Sequence, residues 1–135
     1  MFAKSRVLVA DDDHDIRDLI RAQLESAGYE VHVARNGADA LDRISSARPH
    51  AMVLDINMPE LDGFGVLESL KARSALFPVL VLTARHAEDD VRRAVGLGAK
   101  DYLSKPFSEA QLKARVARLL RSRAPTAAQV PLTVG

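Results

Sequence analysis

Ala51-Met52-Val53-Leu54-Asp55-Ile56-Asn57-Met58-Pro59 is the stretch that decides how this chain folds. Its first four residues are apolar without the polar alternation of a half-exposed strand. They predict a strand buried on both faces, as in a parallel sheet. Asp55 stops the run abruptly. A carboxylate directly after such a strand lies at the carboxyl edge of the sheet, where open α/β folds hold their chemistry. Three other runs end in the same manner. Val7-Leu8-Val9-Ala10 leads into Asp11 and Asp12, Val79-Leu80-Val81-Leu82 into Thr83, and Tyr102-Leu103-Ser104 into Lys105. These residue types bind metal ions and phosphoryl groups.

Helical periodicities separate the strands. Arg6 to Ala10 is the first strand, and Asp13 to Ala27 then carries Ile16, Leu19, Ile20, Leu24 and Ala27 at helical spacing, closed by Gly28. Tyr29 to Ala34 alternates, with Val31 and Val33 opposite Glu30 and His32, which suits a strand near the sheet edge. Asn36 is the expected N-cap of a helix from Gly37 to about Ala47, with Ala40, Leu41 and Ile44 inward and Pro49 as a stop. Met58 to Gly65 reads as a loop, followed by a short helix through Val66, Leu67 and Leu70. Phe77-Pro78 opens the strand that ends at Thr83. Residues 87–97 predict a helix carrying Val91, Ala94 and Val95, ended near Gly98, and Asp101 to Ser104 a short last strand. Ser108 and Gln111 stand in capping-box spacing before a helix that buries Leu112, Val116, Leu119 and Leu120.

Five strands alternating with five helices imply right-handed crossovers and an α/β, three-layer, doubly wound parallel sheet. With 135 residues, one domain is expected, over 1–121. Residues 122–135 contain Pro125 and Pro131 without periodicity and read as a linker or tail. The chain has no cysteine, which excludes zinc–thiolate sites, and its net charge of +1 gives no global drive toward nucleic acid or anionic lipid. No apolar run reaches the length of a membrane span, and Met1 to Arg6 lacks the apolar centre of a signal peptide. A soluble, cytoplasmic protein is expected. His14, His32, His50 and His86 lack metal-ligand spacing and read as surface or loop residues. Lys113, Arg115, Arg118 and Arg121 read as a solvated face or interaction surface.

The strand order 2-1-3-4-5 is carried over from a common doubly wound type, not read from spacing. It sets the ends of strands 1 and 3 side by side, so that Asp11, Asp12 and Asp55 converge. Carboxylates this close raise one another's pKa unless a cation relieves them. A site with few protein ligands and retained waters suits Mg²⁺ better than a caged Ca²⁺. A carboxylate beside such an ion can act as a nucleophile and become an acyl phosphate. The Lys105 ammonium and the Thr83 hydroxyl then supply a charge and a donor to the transferred group, and the small Ala84 leaves room for the phosphoryl donor.

Asp11-Asp12, Leu54-Asp55-Ile56-Asn57-Met58-Pro59-Glu60-Leu61-Asp62-Gly63, Thr83-Ala84 and Lys105-Pro106-Phe107 together resemble the receiver domain of two-component response regulators. The resemblance covers roughly residues 5–121 and implies the flavodoxin-like receiver fold. It further implies that a sensor histidine kinase phosphorylates Asp55. Asp12, Asp55 and the backbone carbonyl of Asn57 would ligate Mg²⁺, with Mn²⁺ able to substitute and Asp11 acting through water. Thr83 and Tyr102 would form a switch pair, and Lys105-Pro106 would carry a cis peptide bond.

The segments Gly98-Ala99-Lys100-Asp101-Tyr102 and Leu112-Lys113-Ala114-Arg115-Val116 resemble the OmpR-like class. That class forms homodimers through helix 4, strand 5 and helix 5 and carries a winged-helix DNA-binding domain. Asp101, Arg115 and Arg118 would belong to that face, with Asp101 and Arg115 fitting its intersubunit ion pairing. Lys100, Val91 and Gln111 depart from the class, which has an acidic, a basic and an acidic residue there. Val130 to Gly135 resembles the first strand of a winged-helix domain, so DNA would be reached only through an effector domain outside this chain. Two other readings stand beside this one. The first is a stand-alone receiver acting through protein partners. The second is an aspartyl-phosphate phosphatase, which places a second aspartate two residues after the nucleophile, where this chain has Asn57.

Overall fold

The structure is a computed structural model that describes residues 3–75 and 77–122. Of residues 122–135, read above as a linker or tail, Ser122 closes the last helix and residues 123–135 lie outside the described residues. The elements run β1 (Arg6–Ala10), α1 (His14–Ser26), β2 (Glu30–Ala34), α2 (Gly37–Ala47), β3 (Ala51–Asp55), α3 (Gly63–Ala72), β4 (Val79–Thr83), α4 (Glu88–Gly96), β5 (Asp101–Ser104) and α5 (Glu109–Ser122). All strand pairs are parallel, in the order β2-β1-β3-β4-β5. Among the described residues, no helix is long and apolar enough to cross a membrane.

The continuous apolar runs are explained by burial on two sides. Leu8, Met52, Leu54, Val79 and Val81 pack with Ala40 of α2, four side chains of α3 and Ala94 of α4. Val7, Val9, Val53, Leu80 and Leu82 pack on the other face with Ile20 and Leu24 of α1 and Leu112, Val116 and Leu119 of α5. Each fully buried Leu or Val stabilises the fold by about 1.5–3 kcal/mol relative to exposure. β2 is an edge strand, which is why its outward positions Glu30 and His32 tolerate polar residues.

The helix starts follow from local chemistry. Asp13 caps α1 by accepting from the N–H groups of Asp15 and Ile16, and Asn36 caps α2 by accepting from Asp39. Ser108 and Gln111 form the reciprocal capping box, each side chain accepting from the other's backbone N–H. α1 ends as Gly28 takes a φ of +96°, a conformation that glycine adopts without strain.

Three expectations are corrected. Leu19 does not face the core: it is 53% exposed, and Arg17 takes the buried face with Ile20 and Leu24. Val95 likewise stands 52% exposed on α4, where Ala94 faces inward. The loop after β3 is also shorter than Met58 to Gly65. Asp62 accepts from the Gly65 N–H and starts α3 at Gly63, because the chain must turn back at once over Asp55.

That turn demands glycine. A Cβ on Gly63 would stand 2.7 Å from both the Asp55 carbonyl oxygen and the Ile56 Cα, both backbone atoms that cannot yield cheaply. Gly63→Ala is expected to cost about 1–3 kcal/mol in urea unfolding, as overpacking does. Gly96→Ala, where a Cβ meets nothing within 4 Å, is expected to be neutral or to add about 0.5–1 kcal/mol.

Candidate functional site

Register brings the polar strand ends together. Ala10 pairs with Leu54, so Asp11 and Asp55 follow side by side on neighbouring strands. Asp55 pairs with Leu82, which places Thr83 one step further along β4. Thr83 pairs with Ser104, and Lys105 follows it. Oxygen atoms of Asp11, Asp12 and Asp55 lie within 4.8 Å of one another. The three acids, with Asn57, Ala84 and Lys105, line an open cleft of about 680 Å³ whose apolar rim is Ile16, Leu19, Pro106 and Phe107.

Lys105 holds the acids in place. Its Nζ lies 3.2 Å from Asp11 Oδ2 and 3.4 Å from Asp55 Oδ1, and the Lys105–Pro106 bond is cis. Asp11, fully buried, is tied at every polar atom. Its N–H donates to the Ala34 carbonyl, Oδ1 accepts from the Asp13 N–H, and its own carbonyl accepts from Arg17 Nη1 at 3.0 Å. Asp55 Oδ1 also accepts from the Asn57 N–H at 3.3 Å. Asp12 is exposed, and no described residue donates to its carboxylate.

Burial pushes the Asp55 carboxyl up, and the Asp11 charge adds to this; Lys105 and the Asn57 N–H oppose it, leaving a value of about 6. Burial alone would lower the Lys105 ammonium, but the charges of Asp55 and Asp11 outweigh it and hold Lys105 above its ordinary value. Thr83 is 2% exposed, and its Oγ1 has no hydrogen-bond partner among the described residues. A buried orphan hydroxyl costs about 1–3 kcal/mol unless something accepts or donates there. Three clustered carboxylate oxygens, a single ammonium and an unsatisfied hydroxyl fit a small divalent cation bound with an oxyanion.

Tyr102 is 42% exposed. With Thr83, Val91, Gln111 and Arg115 it lines a second groove of about 630 Å³ between α4 and β5. Asp101 pairs within its own chain: Oδ1 lies 3.2 Å from Arg115 Nη1 and Oδ2 2.5 Å from Arg118 Nη2. Arg115 also donates to the Tyr102 carbonyl, and its guanidinium sits 6.0 Å from the Tyr102 ring centroid. The structure brings Asp11, Asp12, Asp55, Asn57 and Lys105 to one cleft, and Thr83 lines the adjoining groove with Lys105 and Tyr102. Sequence reading passed over Arg17, whose signal was a charge on the stripe shared with Ile20 and Leu24.

The sequence pattern described as the response regulator receiver domain matches residues 7–117. The chain belongs to that family, as the Asp11-Asp12, Asp55, Thr83-Ala84 and Lys105-Pro106 resemblance implies. It is 47% identical over 129 residues to the transcriptional regulatory protein PrrA of Mycobacterium leprae, covering 96% of this chain and 55% of that protein. It is 45% identical over 120 residues to the response regulator MprA of Mycobacterium tuberculosis, covering 89% and 52%. The chain thus spans about half the length of the curated relatives it matches. Among solved structures, chemotaxis protein CheY4 of Vibrio cholerae superposes with a TM-score of 0.82 at 32% identity, covering 87% of this chain and 99% of that one. NtrX from Brucella abortus superposes with a TM-score of 0.90 at 28% identity, covering 98% and 31%.

The raised Asp55 value has a stability consequence. Between the ordinary carboxylate value of 3.8 and about 6, the unfolded chain ionises Asp55 before the folded chain does. Stability is thereby lost as pH rises through that window. In EDTA at pH 7.5, Asp55→Asn is expected to stabilise the protein by on the order of 1–3 kcal/mol in urea unfolding. The gain should shrink toward zero near pH 4.

Proposed function

We propose that this chain is a phosphoacceptor that takes a phosphoryl group from a sensor histidine kinase onto Asp55 and passes the change to a partner. The observation that carries this reading is the Lys105 ammonium bridging Asp11 and Asp55, with the unpartnered Thr83 hydroxyl on the adjoining strand. An Asp55 carboxylate oxygen attacks phosphorus as the bond to the donor's imidazole nitrogen breaks. The imidazole, already carrying a proton on its other ring nitrogen, takes the electrons of the broken N–P bond and leaves neutral, and an acyl phosphate remains. Lys105 meets the charge developing on the phosphoryl oxygens, and the Thr83 Oγ1 gains the partner it lacks. Asp11, Asp12, Asp55 and Asn57 would hold Mg²⁺, or Mn²⁺ in its place, which supplies positive charge against the phosphoryl oxygens when bound. The open cleft admits the donor, and its rim of Ile16, Leu19, Pro106 and Phe107 offers the kinase an apolar surface.

Output follows from a population shift between two conformers. Thr83 moves toward the phosphoryl group, and Tyr102, now exposed above the groove that contains Thr83, turns into the space released. The face of α4, β5 and α5 is thereby remodelled. The likeness to PrrA and MprA, about twice this chain's span, supports a cytoplasmic transcription regulator. Its DNA contact belongs to an effector domain outside residues 1–121. A homodimer through α4, β5 and α5 would require Asp101 to exchange its contacts with Arg115 and Arg118 for a second copy's. Asn57 stands where an aspartyl-phosphate phosphatase needs its second acid, which disfavours the enzyme reading.

With acetyl phosphate and Mg²⁺, intact-mass analysis should show one phosphoryl group added to the wild type and none to Asp55→Asn. Thr83→Ala should still be labelled but lose the coupled change at Tyr102, read by aromatic NMR. Labelling that persists in Asp55→Asn would overturn the assignment. Steady turnover of a phosphomonoester would favour the phosphatase.

A further inference from the structure

Arg17 is a charged side chain on the buried face of α1, beside Ile20 and Leu24, and is 8% exposed. Its side chain makes a single hydrogen bond among the described residues, from Nη1 to the Asp11 carbonyl at 3.0 Å, and it pairs with no carboxylate. Burying a guanidinium without a counter-ion is costly, and a neutral donor could satisfy one carbonyl oxygen. What the charge adds is strength, because a charge-assisted hydrogen bond is roughly twice as strong as a neutral one.

The bond matters because of the peptide it grips. The Asp11 carbonyl belongs to the plane that carries the Asp12 N–H, so holding the carbonyl fixes the direction in which Asp12 leaves the strand. The Asp11 and Asp55 carboxylates have tethers of their own in Lys105, Asp13 and Asn57. Asp12 has none among the described residues, although one of its carboxylate oxygens lies within 4.8 Å of oxygens of the other two. Its place in the cluster depends on the backbone beneath it.

We infer that Arg17 is a positioning residue for the divalent-cation site: by holding the Asp11–Asp12 peptide it aims the untethered Asp12 carboxylate at the bound ion. This rests on the Mg²⁺ reading above. Groups that orient metal ligands from behind typically change affinity by about 10–100-fold when removed.

The test is calorimetric titration of the intact chain with MgCl₂, run beside urea unfolding of each variant. Arg17→Met is expected to weaken Mg²⁺ binding about tenfold, and Arg17→Lys, which keeps a charged donor, to recover most of that loss. Arg17→Gln, neutral and too short to reach the carbonyl, replaces the Met variant if that one fails to fold. A Met or Gln variant that binds Mg²⁺ within about twofold of wild type, however much its stability falls, reduces Arg17 to a packing residue and overturns the inference. A wild-type chain that takes up no Mg²⁺ overturns the cation reading itself, and the inference with it.

Discussion

Two carboxylates forced abreast by a parallel sheet are the constraint on which this molecule depends. With carboxylate oxygens of Asp11 and Asp55 within 4.8 Å, an effective dielectric near 20 gives a repulsion of at least about 3.5 kcal/mol. Each contact of Lys105, at 3.2 and 3.4 Å, is worth about 5 kcal/mol on the same scale. One ammonium therefore outweighs the repulsion of that pair. It does not also cancel the cost of burial, and Asp55 stays protonated well above the ordinary carboxylate range. A cleft left in this condition favours any further positive charge, and an anion arriving together with it.

The rest of the fold serves to hold that edge. β1, β3, β4 and β5 deliver their polar ends in one staggered row, and the helices that follow β1 and β3 begin immediately beside it. Asp13 and Asp62 cap those helices, which leaves Asp11, Asp12 and Asp55 free of capping duty. The Gly63 N–H donates to the Ile56 carbonyl at 2.9 Å, binding the head of α3 to the backbone just past β3. The acids thus sit on elements whose positions are set by about thirty buried side chains packed on two faces.

The opposite character is found at α4. It lacks a side-chain cap, Ala94 is its buried residue, and Arg93 rests on the Phe64 ring of α3 at 4.1 Å. Val95 and Tyr102 are exposed, and Thr83 Oγ1, in the groove that Tyr102 lines, is unsatisfied among the described residues. Few buried apolar contacts make a local element easy to displace. A rigid acid cluster joined to a lightly anchored helix is an arrangement in which a local charge change can be read at a distance.

The sequence alone determined the alternation of strands and helices, the caps at Asn36 and Ser108–Gln111, and the polar residue closing each buried strand. Those features are local: burial on two faces selects continuous apolar runs, and orphan helix N–H groups select short polar side chains. Four outcomes belonged to the tertiary structure. It put Asp11 beside Asp55, turned Leu19 and Val95 outward, brought α3 forward to Gly63, and gave Arg17 and Asp101 their partners. Each depends on where a distant segment packs. A period of 3.6 residues marks a stripe on a helix but not which edge of the stripe meets the sheet, and a charge in a sequence does not carry the name of the group it will face.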